Sequence, residues 1–200
     1  MLEKIHEILA YWFESNKTHL DAFSPQWDEA FEKDDQILKQ QYEPLFYLAT
    51  QGKLRAWLSH PKSALAYILL IDQLVRRMYR NSPIAYQYES LSLEAADLGR
   101  EHKLDKELSL LERFFFYMPY AHSENIHHQK LCLGLVQKII DEAREERHPA
   151  LSTFEKAYGK IMDDYDIILN FGRFPQRNEI LERESTQDEL LFLSLPNNRF

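Results

Sequence analysis

Ser63-Ala64-Leu65-Ala66-Tyr67-Ile68-Leu69-Leu70-Ile71-Asp72-Gln73-Leu74-Val75-Arg76-Arg77-Met78-Tyr79-Arg80 is the stretch on which the fold turns. Wound at about 100° per residue, it puts Leu65, Ile68 and Leu69 on one side and continues the apolar arc through Ile71, Leu74, Val75 and Met78. An arc this wide belongs to a helix at the centre of a protein. Asp72 and Arg76 stand inside it, spaced i and i+4 in the acid-before-base order that favours pairing. A buried charge needs a partner, so the spacing implies either a core ion pair that sets helix register or a pair lining a ligand pocket.

The same period, followed outward, predicts helices over 2–14, 25–50, 61–80, 83–102, 105–118, 123–147, 150–171, 175–183 and 186–195. Prolines punctuate these segments, and Pro44, inside the second, is expected to kink or split it. Gly52 and Gly172 stand where left-handed caps would, Thr186 with Glu189 reads as a capping box, and Ser123 reads as an N-cap. No stretch alternates with period two between tight-turn dipeptides, and five glycines are few for a sheet protein. The chain therefore reads as all-α, one domain over 1–200. Short loops joining antiparallel helix pairs fit an α-solenoid layout or a compact bundle.

The formal charge of -8 and the lack of any basic run longer than Arg76-Arg77 argue against nucleic acid. The longest purely apolar run, Ala64 to Ile71, is too short to cross a bilayer. The amphipathic start Met1-Leu2-Glu3-Lys4-Ile5-His6 resembles neither a signal peptide nor an anchor, so a cytoplasmic protein without membrane contact is expected. Cys132, alone between Leu131 and Leu133, is expected to be a buried, inert thiol.

Two further segments carry candidate chemistry. In the first, the aromatic run Phe114-Phe115-Phe116-Tyr117 anchors the core, and Pro119-Tyr120-Ala121-His122-Ser123-Glu124 follows it. His122 could move a proton there, with Glu124 beside it. Sequence neighbours on one turn do not assemble a triad, so Ser123 is not read as a nucleophile. Glu124/His127 has a metal-ligand spacing, yet the same spacing recurs in charged stretches at Glu3/His6 and Glu145/His148. Neither metal nor cofactor is expected. In the second segment, Phe171-Gly172-Arg173-Phe174-Pro175-Gln176-Arg177-Asn178, Pro175 can open a helix whose free N–H groups, flanked by Arg173 and Arg177, would favour an anion. The alternative is that both arginines pair with Asp164, Asp166, Glu179 or Glu182 and tie the C-terminal helices down.

These segments together resemble the bacterial domain of unknown function 924 family. Tyr11-Trp12-Phe13 is similar to its opening element, Ile71 to Arg80 to its "LDQFPRNxYRG" signature, and Pro119 to Glu124 to "PLEHSE". Phe171 to Asn178 is close to "FGRFPHRN", and Leu181 to Leu193 resembles "LGRxSTxEExxFL". The resemblance spans nearly the whole chain and implies a tetratricopeptide-like stack of antiparallel helix pairs, without an assigned activity. The chain departs from that pattern at Asp164 and Gln176, where histidines are usual, at Val75 in place of Pro, and at Ala121 in place of an acidic residue.

Polar residues thus fall inside apolar helices in three distant segments. Asp72, Gln73, Arg76, His122, Glu124, Arg173, Arg177 and Asn178 are expected to converge on one concave site for a small anionic ligand, with His122 and Glu124 as the acid/base candidates. The competing class is a non-catalytic scaffold whose concave face receives a partner peptide.

Overall fold

From Pro61 to Met78 the central stretch is helical throughout, but not uniformly α. A computed structural model describes residues 1–13 and 26–195 of the chain, the side chains of 26–34 excepted. Helix α1 spans Leu2–Phe13, α2 Gln26–Thr50 and α3 Pro61–Ile68, and a π-helical segment over Leu69–Leu74 leads into α4, Val75–Met78. Then come α5 (Ile84–Gln87), α6 (Glu89–Glu101), α7 (Leu110–Phe116), α8 (Met118–His122), α9 (Ile126–Glu145), α10 (Leu151–Phe171) and α11 (Gln187–Ser194). No strand occurs among the described residues, and none of the helices is long and apolar enough to cross a membrane.

All residues from Ser63 to Asp72 are buried, as the wide apolar arc requires. The buried apolar side chains form one cluster running from Ile5 on α1 to Ile161 on α10. Its largest members include Phe46, Phe114, Phe116, Phe154, Tyr117 and Tyr120. Each such burial contributes about 1.5–3 kcal/mol, so the aromatic block after Arg113 is a main anchor of the fold. Trp12 meets Phe115 edge-on with ring centroids 5.4 Å apart, fastening α1 to α7. Helix α6 comes so close to Phe116 that a Cβ on Gly99 would lie 2.3 Å from the ring's Cζ. Joined by a short connection, α9 and α10 form the most extensive helix pair.

Helix ends follow local chemistry. Gly52 and Gly172 adopt φ of 73° and 69°, the left-handed turns expected of them. The Thr186/Glu189 capping box is present, and a second one, Ser109/Glu112, opens α7. Several expected segments need correction. The 83–102 segment divides at Tyr88, and 105–118 starts as a 3-10 turn over Leu104–Glu107 and ends its first helix at Phe116, ahead of Pro119. Asn125, not Ser123, caps α9, its Oδ1 accepting from the His127 N–H at 2.9 Å. Helix α2 runs through Pro44 without splitting. No helix forms over 175–183: a three-residue 3-10 turn, Pro175–Arg177, is followed by turns, because Asn178 and Arg183 bind each other instead of continuing a ladder. The expected ends at 14 and 25, with Pro25 and Pro196, lie outside the described residues.

Candidate functional site

Asp72 lies in the π-helical segment, a wider turn that rotates the helix face beyond it and that recurs at functional positions. Its side chain is 1 % exposed. One face of the carboxylate meets the imidazole of His122, at the end of α8, with Nδ1 2.8 Å from Oδ2 and 3.0 Å from Oδ1. Gln73 donates to Oδ2 at 2.7 Å. Arg76 approaches Oδ1 at 3.5 Å, so the expected i,i+4 pair exists but is looser than the bond to His122.

The charges of this cluster sort themselves. Burial alone would raise the Asp72 carboxyl, but His122 and Arg76, with hydrogen bonds from His122 and Gln73, outweigh it and hold the group below the usual range. Burial, with Arg76 and Arg177 nearby, depresses His122 against the pull of Asp72. Asp72 is therefore ionised and His122 neutral near pH 7, with the imidazole proton on Nδ1 where the carboxylate accepts it. That leaves the lone pair on Nε2, which has no hydrogen-bond partner among the described residues.

His122 forms part of the wall of a cavity of about 270 Å³, together with Arg76, Tyr86, Ala121, Asp164, Phe174, Gln176 and Arg177. Arg177, 8 % exposed, is held between aromatic rings, its Cζ 4.2 Å from the Phe174 centroid and 4.9 Å from that of Tyr86. Arg76 lies 5.2 Å over the same Tyr86 ring. Burial and the neighbouring Arg76 charge both lower the Arg177 pKa, as expected of two cations sharing one wall. Their counter-charges are loose: Glu89 is 3.9 Å from Arg76 and 3.8 Å from Arg177. The hydrogen bond Arg177 does make runs from Nη2 to the His122 carbonyl, at 2.8 Å. Arg76 Nε, Glu89 Oε1 and Gln176 Oε1 are buried with no hydrogen-bond partner among the described residues. Burial pushes Glu89 up to about 7 despite Arg177 and Arg76, and burial likewise pushes Asp164 up to about 7 despite Arg177.

Of the eight residues expected at the site, Asp72, Gln73, Arg76, His122 and Arg177 come together here. Arg76, His122 and Arg177 line the cavity, Asp72 and Gln73 stand behind His122, and the other three residues do neither. Glu124 accepts from Arg183 at 2.7 and 3.0 Å and from the Phe174 N–H at 2.9 Å, so it is engaged elsewhere and is not the partner of His122. Arg173 gives Nε and Nη2 to Glu189 at 2.6 and 2.7 Å. Asn178 donates to Ser185 at 3.0 Å and accepts from Arg183 at 3.0 Å. The two arginines expected to share one helix N-terminus therefore point to different surroundings, and that N-terminus is itself missing. Ser123 contacts His128 Nδ1 at 2.9 Å, away from the dyad. Cys132 is fully buried, and burial raises its thiol pKa.

Tyr86 and Glu89 carry no motif that marks them, and proximity alone reveals them; Phe174 stands in the same motif as Arg173 and Arg177 but is not among the residues expected at the site. Asp164, Gln176 and Ala121 did carry a signal: all three depart from the family pattern, and all three stand on the cavity wall. A larger cavity of about 1120 Å³, between α1 and the 53–63 region, is lined mainly by apolar side chains such as Ile5, Leu9, Phe13 and Trp57. Of its charged residues Lys53, Lys62 and Glu112, the last two are already mutually bonded.

Fold and cavity together define an all-helical protein in which a buried aspartate holds a partly exposed histidine beside two arginines. The chain belongs to a family of bacterial proteins of unknown function, DUF924, whose model matches residues 8–197. It is similar in structure to a protein of unknown function, ATU0120, from Agrobacterium tumefaciens, at 28% identity over 95% of this chain and 96% of that one, with a TM-score of 0.69. No curated protein matches the chain.

Proposed function

We propose that this protein binds a small anionic ligand in the cavity between Arg76 and Arg177. The supporting observation is the pair of guanidinium groups on one aromatic wall, neither in hydrogen-bonded contact with a carboxylate: their nearest carboxylate oxygens lie at 3.5 to 3.9 Å. Two like charges held together in a half-buried site repel each other, and an oxyanion accepting from both relieves that repulsion. The raised Glu89 and Asp164 fit the same reading, because a carboxyl that is partly protonated near neutrality opposes an incoming anion less.

Thermal-shift titration with sodium sulfate and sodium phosphate tests this. A ligand at 100 times its Kd stabilises the native state by about 2.7 kcal/mol, a shift of several degrees for a chain of this size. Arg76→Gln should remove that shift and lower the unliganded melting temperature less than loss of Asp72 would, since the Arg76 guanidinium makes no hydrogen bond among the described residues and gives up only the 3.5 Å ion pair with Asp72 and its packing on Tyr86. Arg177→Ala should remove the shift and also lower the unliganded value, because Arg177 holds the His122 carbonyl and packs on Phe174. A flat response of the parent protein to both anions would overturn the proposal and favour the peptide-receiving scaffold.

A further inference from the structure

Resting on that reading of the cavity, we infer that its ligand is a phosphate monoester and that His122 Nε2 accepts the phosphoryl group from it. The geometry supplies the parts that such a transfer requires. The nucleophile is an imidazole that lines the cavity and whose Nδ1–H is fixed on a fully buried carboxylate, 2.8 Å away, leaving the Nε2 lone pair unengaged among the described residues. Arg76 and Arg177, on the same wall, are placed to hold the equatorial oxygens of a phosphoryl group and the charge spread over them. This combination selects among anions. A carboxylate held by two guanidinium groups offers no electrophile to a neighbouring imidazole, whereas a phosphoryl group does. Asp164 shares the cavity, has no hydrogen-bond or ion-pair partner among the described residues, and retains its proton up to about pH 7, as the acid for a leaving alkoxide must. The volume of about 270 Å³ suits a phosphate with a small organic group.

The steps balance with water as the only co-reactant. The Nε2 lone pair forms a P–N bond as the P–O bond to the alcohol breaks, and the departing oxygen takes the Asp164 proton. Water then attacks phosphorus, the P–N electron pair returns to Nε2, and the Asp164 carboxylate takes a proton from that water. The products are the free alcohol and inorganic phosphate. Asp72 touches neither phosphorus nor the leaving group. It is a positioning residue that fixes the tautomer and offsets the charge His122 gains.

Acetyl phosphate, a small donor whose leaving acetate needs no proton, is the direct probe. The full-length protein is incubated with ³²P-labelled acetyl phosphate, and base-stable, acid-labile phosphohistidine is mapped by mass spectrometry. Label should appear on His122 and not on the exposed His102 and His127, which serve as internal controls. Inorganic phosphate should compete with it. Asp164→Asn should retain labelling and accumulate several-fold more phosphoenzyme, because the releasing water loses its base. In Asp72→Asn the pH at which labelling is half-maximal should move down, since the carboxylate that raises the His122 pKa is gone, a change that altered stability alone would not produce. Absence of label at His122, or label no greater there than on His102 and His127, overturns the inference even if sulfate and phosphate still stabilise the protein. If those anions also fail to stabilise it, the binding reading falls as well.

Discussion

Two arginine clusters differ in how completely they are satisfied, although Arg173 of one and Arg177 of the other stand in the same short motif. In the C-terminal cluster, Arg173 grips Glu189 and Arg183 grips Glu124, each through two charge-assisted hydrogen bonds of 3.0 Å or less. In the cavity, Arg76 and Arg177 face carboxylates only at 3.5 to 3.9 Å. The first arrangement is a closed knot that ties α11 and the turns after Pro175 to the segment ahead of α9. The second leaves donor capacity unused. Arginines of one motif can therefore have opposite uses, and the geometry of their partners, not the motif, separates the two.

The sharpest way to break this comparison is to remove the carboxylate beneath the cavity. Asp72→Ala leaves Gln73 and the His122 Nδ1–H without their buried acceptor and Arg76 without its ion-pair partner, and breaking such a buried pair costs about 3–5 kcal/mol. For a chain of this size that is a fall in melting temperature on the order of 10 °C. Melting within a degree of the parent would show that the buried charge contributes nothing to holding the cavity.

A smaller effect separates the knot from the cavity. Glu124→Gln removes the charge that Arg183 and the Phe174 N–H share, at a cost of about 1–3 kcal/mol. The sulfate-induced shift should survive, because Glu124 does not line the cavity. Loss of that shift in a folded variant would merge the two clusters into one functional unit and end the distinction.

The all-helical class and the burial of Asp72 were legible because they follow from a 3.6-residue period and from charges set inside an apolar arc. The caps at Gly52, Gly172 and Thr186 were legible because one or two residues decide them. Short-range pattern does not reveal which of several nearby partners a long side chain will take. Glu124 next to His122 suggested a pair, yet Asp72, 50 residues away, reached the imidazole instead. The expected helix after Pro175 failed for a related reason: a proline suits a first turn, but side-chain bonds from Arg183 to Asn178 and to the Phe174 carbonyl bent the chain into turns. Glu89 was invisible because nothing in the expected 83–102 helix announces a packed neighbour from another element.

The smallest expected effect concerns pH, where knot and cavity carry opposite signs. Hydrogen bonds from Arg173 hold Glu189 down at about 2, so its contribution to stability is present above the ordinary carboxylate range and is lost as pH falls toward 2. Glu89 and Asp164 are raised, chiefly by burial, to about 7. Their contribution is full below the ordinary range and is lost as pH rises through 7. Around Glu89 the facing charges are Arg177, Arg76, Asp72 and Glu124; around Asp164 they are Arg177, Asp163 and Lys160. The raised values of Glu89 and Asp164 lie between pH 8 and 6. An anion entering beside Arg76 and Arg177 meets two carboxylates at pH 8 and largely neutral carboxyls at pH 6, so it should bind more tightly at the lower pH. Sulfate is the suitable probe because its own charge is constant over that interval. Calorimetric titration should show its Kd falling about tenfold from pH 8 to 6, equivalent to roughly 1.4 kcal/mol. Glu89→Gln combined with Asp164→Asn should bind sulfate tightly at both values and flatten the dependence. A Kd in the parent protein that is constant, or that rises as pH falls, would mean that these carboxyls do not face the anion, and the contrast between a closed knot and an open cavity would lose its electrostatic half.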